Sequence, residues 1–227
     1  MESINENNKN TENRIIEVGN KKYYLIAYID EGSYGKVYLI KGKDDNKNYA
    51  LKVLKNDKEK FMKEIKILTK LNLKNNIYIP KIYGYGDVKL KPDQDGVISC
   101  VIDYAKNKNL TFYINQSGNG IREEYAKYIF KRIVQGIKYC HENYICHFDI
   151  KAENILMDND YNPIITDFNI SEEFQHSKSS FFTGERGTEY IMCPQMFIKN
   201  EKYSGIDADI FSLGVLLFGL VLNTFCF

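Results

Sequence analysis

Net charge is almost absent from this chain. Its 227 residues carry 31 Lys and Arg against 30 Asp and Glu, a formal charge of +1. No run of Lys or Arg forms a basic block, so the lysines read as a solvated surface. That balance argues against a nucleic-acid partner held by bulk electrostatics. Paired cysteines are missing as well. Cys100, Cys140, Cys146, Cys193 and Cys226 are odd in number, scattered and without C-x-x-C spacing. They read as reduced, mostly buried small apolar residues, not as disulfides or zinc ligands. The N-terminus lacks the basic-then-apolar pattern of a signal peptide and has no glycine at position 2 for myristoylation. A soluble, cytoplasmic protein is the expectation. The length allows a substantial core, in one large domain or two lobes.

What the chain does have is one short loop dense in chemistry. Residues 145–157, ICHFDIKAENILM, set Asp149, Lys151 and Asn154 between apolar flanks. Asp149 is placed to orient a hydroxyl and accept its proton. Lys151 is placed to neutralise a phosphate, and Asn154 offers a neutral oxygen to a hard cation such as Mg2+. Those roles together describe phosphoryl transfer, in which the protein supplies mainly positioning and charge. His147, alone on an apolar segment, reads as a packed core histidine instead of a general base.

Along the rest of the chain, residues 1–13 are polar and predict a disordered tail. Aromatic and β-branched runs predict strands at 23–29, 38–40, 48–54, 77–83 and 97–102. Gly32 and Gly35 lie between the first two strands. They suit either an ordinary turn or a hairpin whose backbone N–H groups approach a phosphate that side chains would block. Lys52, among Ala50, Leu51 and Val53, suits a half-buried strand position or a solvated one. Apolar spacing predicts a helix over 60–71, with Phe61, Ile65 and Leu68 on one face beside Met62. It predicts another over 123–141, with Ala126, Ile129, Phe130, Ile133, Ile137 and Cys140 on one face. A hairpin of 155–157 and 163–166 leads to Asp167-Phe168-Asn169.

In this order the pieces resemble the eukaryotic protein kinase family, from about Tyr23 to Phe227. Residues 145–157 are similar to the catalytic loop H-R-D-L-x-x-x-N, with Phe148 in the Arg position. Residues 30–37 resemble G-x-G-x-x-G-x-V, with Asp30 in place of the first Gly. Asp167-Phe168-Asn169 resembles D-F-G, Gly187-Thr188-Glu189-Tyr190 resembles G-T-x-x-Y, and Cys193-Pro194-Gln195 stands at A-P-E. Asn169 is expected to take the positive φ of the replaced glycine.

The resemblance implies an α+β, two-lobed protein kinase-like fold: a polar tail (1–13), a β-rich N-lobe (14–102), then a hinge and a mainly helical partial C-lobe (103–227) lacking its last helices. It implies an ATP-dependent serine/threonine kinase that transfers the γ-phosphate of Mg-ATP to a protein hydroxyl. Asp149 and Lys151 would be catalytic. Gly32, Gly35, Val37, Ala50, Lys52, Glu64, Asp103, Ala105 and Leu156 would hold the nucleotide, with Glu64 fixing Lys52 and the backbone of Asp103 and Ala105 meeting the adenine edge. Asn154 and Asp167 would hold Mg2+. Asp209 would hold the catalytic-loop backbone, and Glu153 hints at a basic residue before the acceptor. Ser177, Ser179, Ser180 and Thr183 are candidate phosphosites, although Phe148 removes the Arg that usually meets such a phosphate. The alternative is an ATP-binding pseudokinase, a scaffold or an inactive truncated fragment. Residues 210–222 are nearly all apolar but short of the ~20 that span a bilayer, so a core helix is expected, with a partner covering its exposed side, and no membrane.

Overall fold

The computed structural model describes residues 14–31, 35–91, 93, 95–117, 121–174 and 181–222. The expected tail 1–13, Gly32, and Ser177, Ser179 and Ser180 lie outside the described residues. Contacts divide the chain into two units, Met1–Ile65 with Lys81–Tyr104, and Lys66–Pro80 with Ala105–Phe227. Residues 66–80, expected with the N-terminal part, therefore belong to the second unit. Two hydrogen bonds explain it: the Tyr139 hydroxyl donates to the Leu71 carbonyl (2.6 Å), and the Ile165 N–H donates to the Tyr78 carbonyl (2.8 Å).

The first unit contains strands β1 (Arg14–Val18), β2 (Lys21–Glu31), β3 (Gly35–Gly42), β4 (Asn48–Leu54), β5 (Ile82–Val88) and β6 (Val97–Asp103). They form one antiparallel sheet in the order β1-β2-β3-β4-β6-β5. Tyr23, Leu25, Ile40, Leu51, Val53 and Val101 fill its main core, which also takes Ile16 and Val18 from β1. The sequence reading did not foresee β1. Its signal is only two inward residues, too short a period-2 pattern to stand out beside the polar stretch before it. The sheet curls so that β1 approaches the far edge: Arg14 donates to the carbonyls of Leu90 and Lys89. Helix α1 (Lys58–Leu71) begins where the Asp57 carboxylate accepts from the Lys60 N–H (3.0 Å), as an N-cap should. Its Phe61 and Ile65 pack with Cys100 in a second small core.

The strand expected at 77–83 is corrected. Residues 77–81 are irregular, and the strand is Ile82–Val88. The Asn76 side chain accepts from the backbone N–H groups of Tyr78 (3.2 Å) and Ile79 (2.9 Å), and Pro80 follows. Local side-chain acceptors of this kind take backbone donors away from a ladder.

The second unit holds α2 (Leu110–Gln116), α3 (Glu123–Glu142) and α4 (Gly205–Leu222) around short strand pairs. These are β7 (Ile145–Cys146) with β10 (Glu172–Glu173), β8 (Ile155–Met157) with β9 (Pro163–Ile165), and β11 (Phe181–Phe182) with β12 (Tyr203–Ser204). Asn109 caps α2 by accepting from the Phe112 N–H (3.1 Å). In α3 the buried positions are Ala126, Ile129, Ile133, Gly136, Ile137 and Cys140. That is the foreseen face, with Gly136 added and Phe130 only half-buried. Helix α4 has 18 residues and a mean hydropathy of 1.9, long and apolar enough to cross a membrane by length and composition. Half of it is buried within the protein. Ile210, Phe218, Val221 and Leu222 are exposed, while Asp209, Ser212, Leu216 and Leu220 are buried.

The β1 assignment has a direct test in stability. Ile16 is 3% exposed and Ile15 is 47% exposed. Ile16→Ala should cost about 2–5 kcal/mol in denaturant unfolding, and Ile15→Ala within about 0.5 kcal/mol. Equal costs would contradict the register.

Candidate active site

The charged part of the first unit's site is one ion pair. Lys52 lies on β4, opposite Val37 on β3 and Cys100 on β6. Its Nζ is 2.7 Å from both carboxylate oxygens of Glu64, which sits on α1. Both side chains are largely withdrawn from water. A carboxylate so buried needs its cation, because removing one partner of a buried pair costs about 3–5 kcal/mol. Burial, then the Glu64 charge, pushes the neighbouring Cys100 thiol up to about 12, so it stays protonated. Ala50 is buried beside the lysine and Val37 half-buried. Gly35 has a packing reason of its own, since a Cβ there would lie 2.6 Å from the Val53 carbonyl oxygen. Asp103 ends β6, where its carboxylate accepts from the Lys81 N–H (2.7 Å) and the Tyr83 hydroxyl (2.8 Å), and its own N–H donates to the Lys81 carbonyl. Its N–H is therefore already engaged. Asp30 is exposed, and its carboxylate accepts from the next backbone N–H.

The second unit's site is built around Asp209 on α4. This fully buried carboxylate accepts from the backbone N–H groups of His147 (2.9 Å) and Phe148 (2.8 Å), and the His141 Nε2 lies 2.8 Å away. Phe148 is held at φ +65°, a conformation that side chains avoid unless tertiary contacts impose it. His147 is a packed core histidine, with its ring edge against Phe168. Its Nδ1 accepts from the Asp149 N–H (3.2 Å), so the proton sits on Nε2, which donates to the Thr166 carbonyl (3.0 Å).

Asp149 is thereby presented with both oxygens engaged. One accepts from the Thr188 hydroxyl (2.7 Å). The other meets the Lys151 Nζ (3.0 Å) and the Asn154 Nδ2 (2.8 Å). Lys151 also donates to the Thr188 oxygen (2.6 Å). Burial alone would raise the Asp149 pKa. The Thr188 and Lys151 hydrogen bonds, with the Lys151 and His147 contributions, outweigh it and hold the carboxyl below its ordinary value.

Asn154 ends a short 3-10 turn, and its Nδ2 also donates to the Asp149 carbonyl (2.9 Å). Its Oδ1 is the amide atom that remains for a cation. The Asn154 carbonyl accepts from both the N–H and the hydroxyl of Thr166, which locks it to the residue before Asp167. Leu156 is half-buried on β8, bridged to Asn109. Ala105 follows the first unit's end and is half-buried without regular structure.

One expectation is corrected here. Asn169 does not take the positive φ; Asp167 does, at +68°. Asn169 is buried, and its amide donates to the Asp167 carboxylate. Aspartate is among the few residues that visit this region readily, so the strain falls where a side chain can bear it.

Thr188 as a partner of both Asp149 and Lys151 was not foreseen. The sequence reading placed it only within the G-T-x-x-Y resemblance, and 39 residues of separation hide the contact. Gly187 before it has φ +98°, and a Cβ there would overlap the Phe148 carbonyl oxygen. Glu153 accepts from the Tyr190 hydroxyl at 3.1 Å through each oxygen. Gln195 is exposed, so a neutral amide there carries no burial cost.

Residues 23–227 match the protein kinase domain. A probable serine/threonine-protein kinase MARK-C of Dictyostelium discoideum is 31% identical over 94% of this chain and 27% of its own length. The SNF1-related protein kinase catalytic subunit alpha KIN12 of Arabidopsis thaliana is 31% identical over 96% of this chain and 42% of its own length. Human NUAK family SNF1-like kinase 1 is 30% identical over 91% and 30%. The chain belongs to the protein kinase domain family. It spans between about a quarter and two-fifths of the length of these curated relatives.

The Thr188 contact predicts a pH effect. A carboxyl held low stabilises the fold above its unfolded pKa of about 3.9, and that contribution is lost as pH falls through the lower folded value. Thr188→Val removes one donor, so the folded value should rise. The Asp149 titration midpoint, followed by carboxyl-carbon NMR, should then move up. An unmoved midpoint would contradict the assignment.

Proposed function

We propose that this chain is a protein serine/threonine kinase that transfers the γ-phosphate of ATP to a hydroxyl on another protein. The observation that carries the reading is Asp149: a buried, ionised carboxylate with Lys151, Asn154 and Thr188 within hydrogen-bonding distance. Its Oδ atoms can accept the proton of an incoming hydroxyl once that hydroxyl displaces a present donor. Lys151, beside it, balances negative charge on the phosphate in flight.

Asn154 and Asp167 fit a hard divalent cation, since an amide oxygen and a carboxylate are the ligands Mg2+ prefers. When bound there, Mg2+ would neutralise charge on the phosphates. Lys52, fixed by Glu64, would hold the α- and β-phosphates, with Ala50, Val37 and Leu156 as apolar neighbours of the base. The carbonyl of Asp103 and the backbone of Ala105 would meet the adenine edge, and Gly32 and Gly35 would cover the phosphates. The lysine two residues after Asp149, with the names of the relatives, supports serine or threonine as the acceptor. Exposed Glu153 supports a basic residue near it. Four free, buried cysteines among the described residues support a reducing, cytoplasmic setting.

The test is transfer of labelled γ-phosphate from Mg-ATP to a basic Ser/Thr protein by residues 1–227, beside Asp149→Asn. The variant should fall by about 10²–10⁴-fold, the usual effect of removing a general base. A folded wild type that binds Mg-ATP but transfers nothing would overturn the enzyme reading and leave a nucleotide-binding scaffold.

A further inference from the structure

Phe148 is buried in a cluster that the transfer reaction does not use. Its ring centroid is 5.0 Å from that of Phe182 and 6.4 Å from that of Tyr203, edge-on to both. Phe182 and Tyr203 are partners across the β11–β12 pair. The Arg186 guanidinium lies 5.9 Å from the Phe148 centroid and 5.6 Å from the Phe182 centroid. Cations favour the faces of such rings. Its Nη1 is 3.0 Å from the Glu172 carboxylate, while its Nε is buried with no acceptor among the described residues. The Tyr203 hydroxyl donates to the Gly184 carbonyl (2.8 Å). Gly187 then packs its backbone against the Phe148 carbonyl, and the next residue is Thr188, with its hydroxyl on Asp149.

These contacts form a continuous path from an aromatic cluster to the catalytic carboxylate. Beside the aromatic rings the described cation is Arg186, and Glu172 already balances it; Lys151 stands at the far end, on Thr188 and Asp149. Phe148 offers shape and apolar surface where a cation would offer charge. We infer that Phe148, Phe182, Arg186 and Tyr203 clamp residues 181–188 so that Thr188 is set on Asp149 without a phosphate on the segment. Phe182, Arg186 and Tyr203 are thus positioning residues, and Thr183, exposed beside them, needs no modification for transfer. The catalytic consequence rests on the kinase reading above; the clamp itself does not.

The experiment uses residues 1–227 treated with a phosphatase and checked by intact mass. The unphosphorylated wild type should transfer at a rate within about twofold of the untreated protein. Phe182→Ala should lower kcat by about tenfold or more and leave KM for Mg-ATP within about twofold, since the interaction acts on the reacting end. The amides of Gly187 and Thr188 should exchange about tenfold faster in that variant, while α3 amides keep their protection. Phe182→Tyr, which keeps the ring, should restore kcat and protection together. Transfer abolished by the phosphatase, or exchange at Gly187 and Thr188 unaltered in Phe182→Ala, would overturn the clamp. A wild type that transfers nothing in either state sinks the kinase reading, and the exchange comparison still decides the clamp.

Discussion

The second unit depends on one buried carboxylate. Asp209 stands in a helix that is otherwise almost wholly apolar, and it is fully withdrawn from water. Such a group is tolerable only because two backbone N–H donors and the His141 ring meet it. In return it fixes the main chain of His147 and Phe148, including a positive φ that a phenylalanine would otherwise leave. The His147 ring is then oriented by two further bonds, to the Asp149 N–H and the Thr166 carbonyl. One anchor therefore fixes the start of the loop that carries Asp149 and, through Thr166, the approach to Asp167.

The same loop shows how a buried charge is handled. Asp149 is kept ionised by the Thr188 hydroxyl as well as by Lys151, not by a cation alone. In the first unit the arrangement is different. Lys52 and Glu64 form a bidentate pair with little exposure, a geometry that fixes the ammonium rather than leaving it to swing. Each site residue is held by a neighbour whose own place is set by a strand, a turn or α4.

Much of this was legible in the sequence, for physical reasons. Regular periodicity placed α3, β4 and β6 to within one residue, and α1 and β2 to within two residues at an end. Asp149, Lys151 and Asn154 stood out as polar residues in one apolar-flanked loop, whereas Lys52, Glu64 and Asp167 were assigned through the resemblance to the kinase family. Contacts between distant segments were not legible. Thr188 meets Asp149 across 39 residues, and nothing in its local composition marks it. The aromatic cluster around Phe148 appeared in the sequence only as a lost arginine. Irregular backbone also misled: Ile77 to Lys81 has strand composition, but Asn76 and Pro80 break the ladder there. The strain at the D-F-G position was assigned to Asn169, whereas the backbone places it on Asp167, a difference that residue type alone does not reveal.

Amide exchange at residues 147 and 148 tests the anchor most directly. Asp209→Asn keeps the shape but turns one acceptor oxygen into a donor facing an N–H. The account predicts that in the wild type the His147 and Phe148 amides exchange as slowly as those in the middle of α3. In the variant they should lose about 10–100-fold of protection, the cost of an unmet buried donor, while Leu51 and Val101 in the first unit keep theirs. Unchanged protection at both amides would show that the loop is held by something other than Asp209, and would contradict the account.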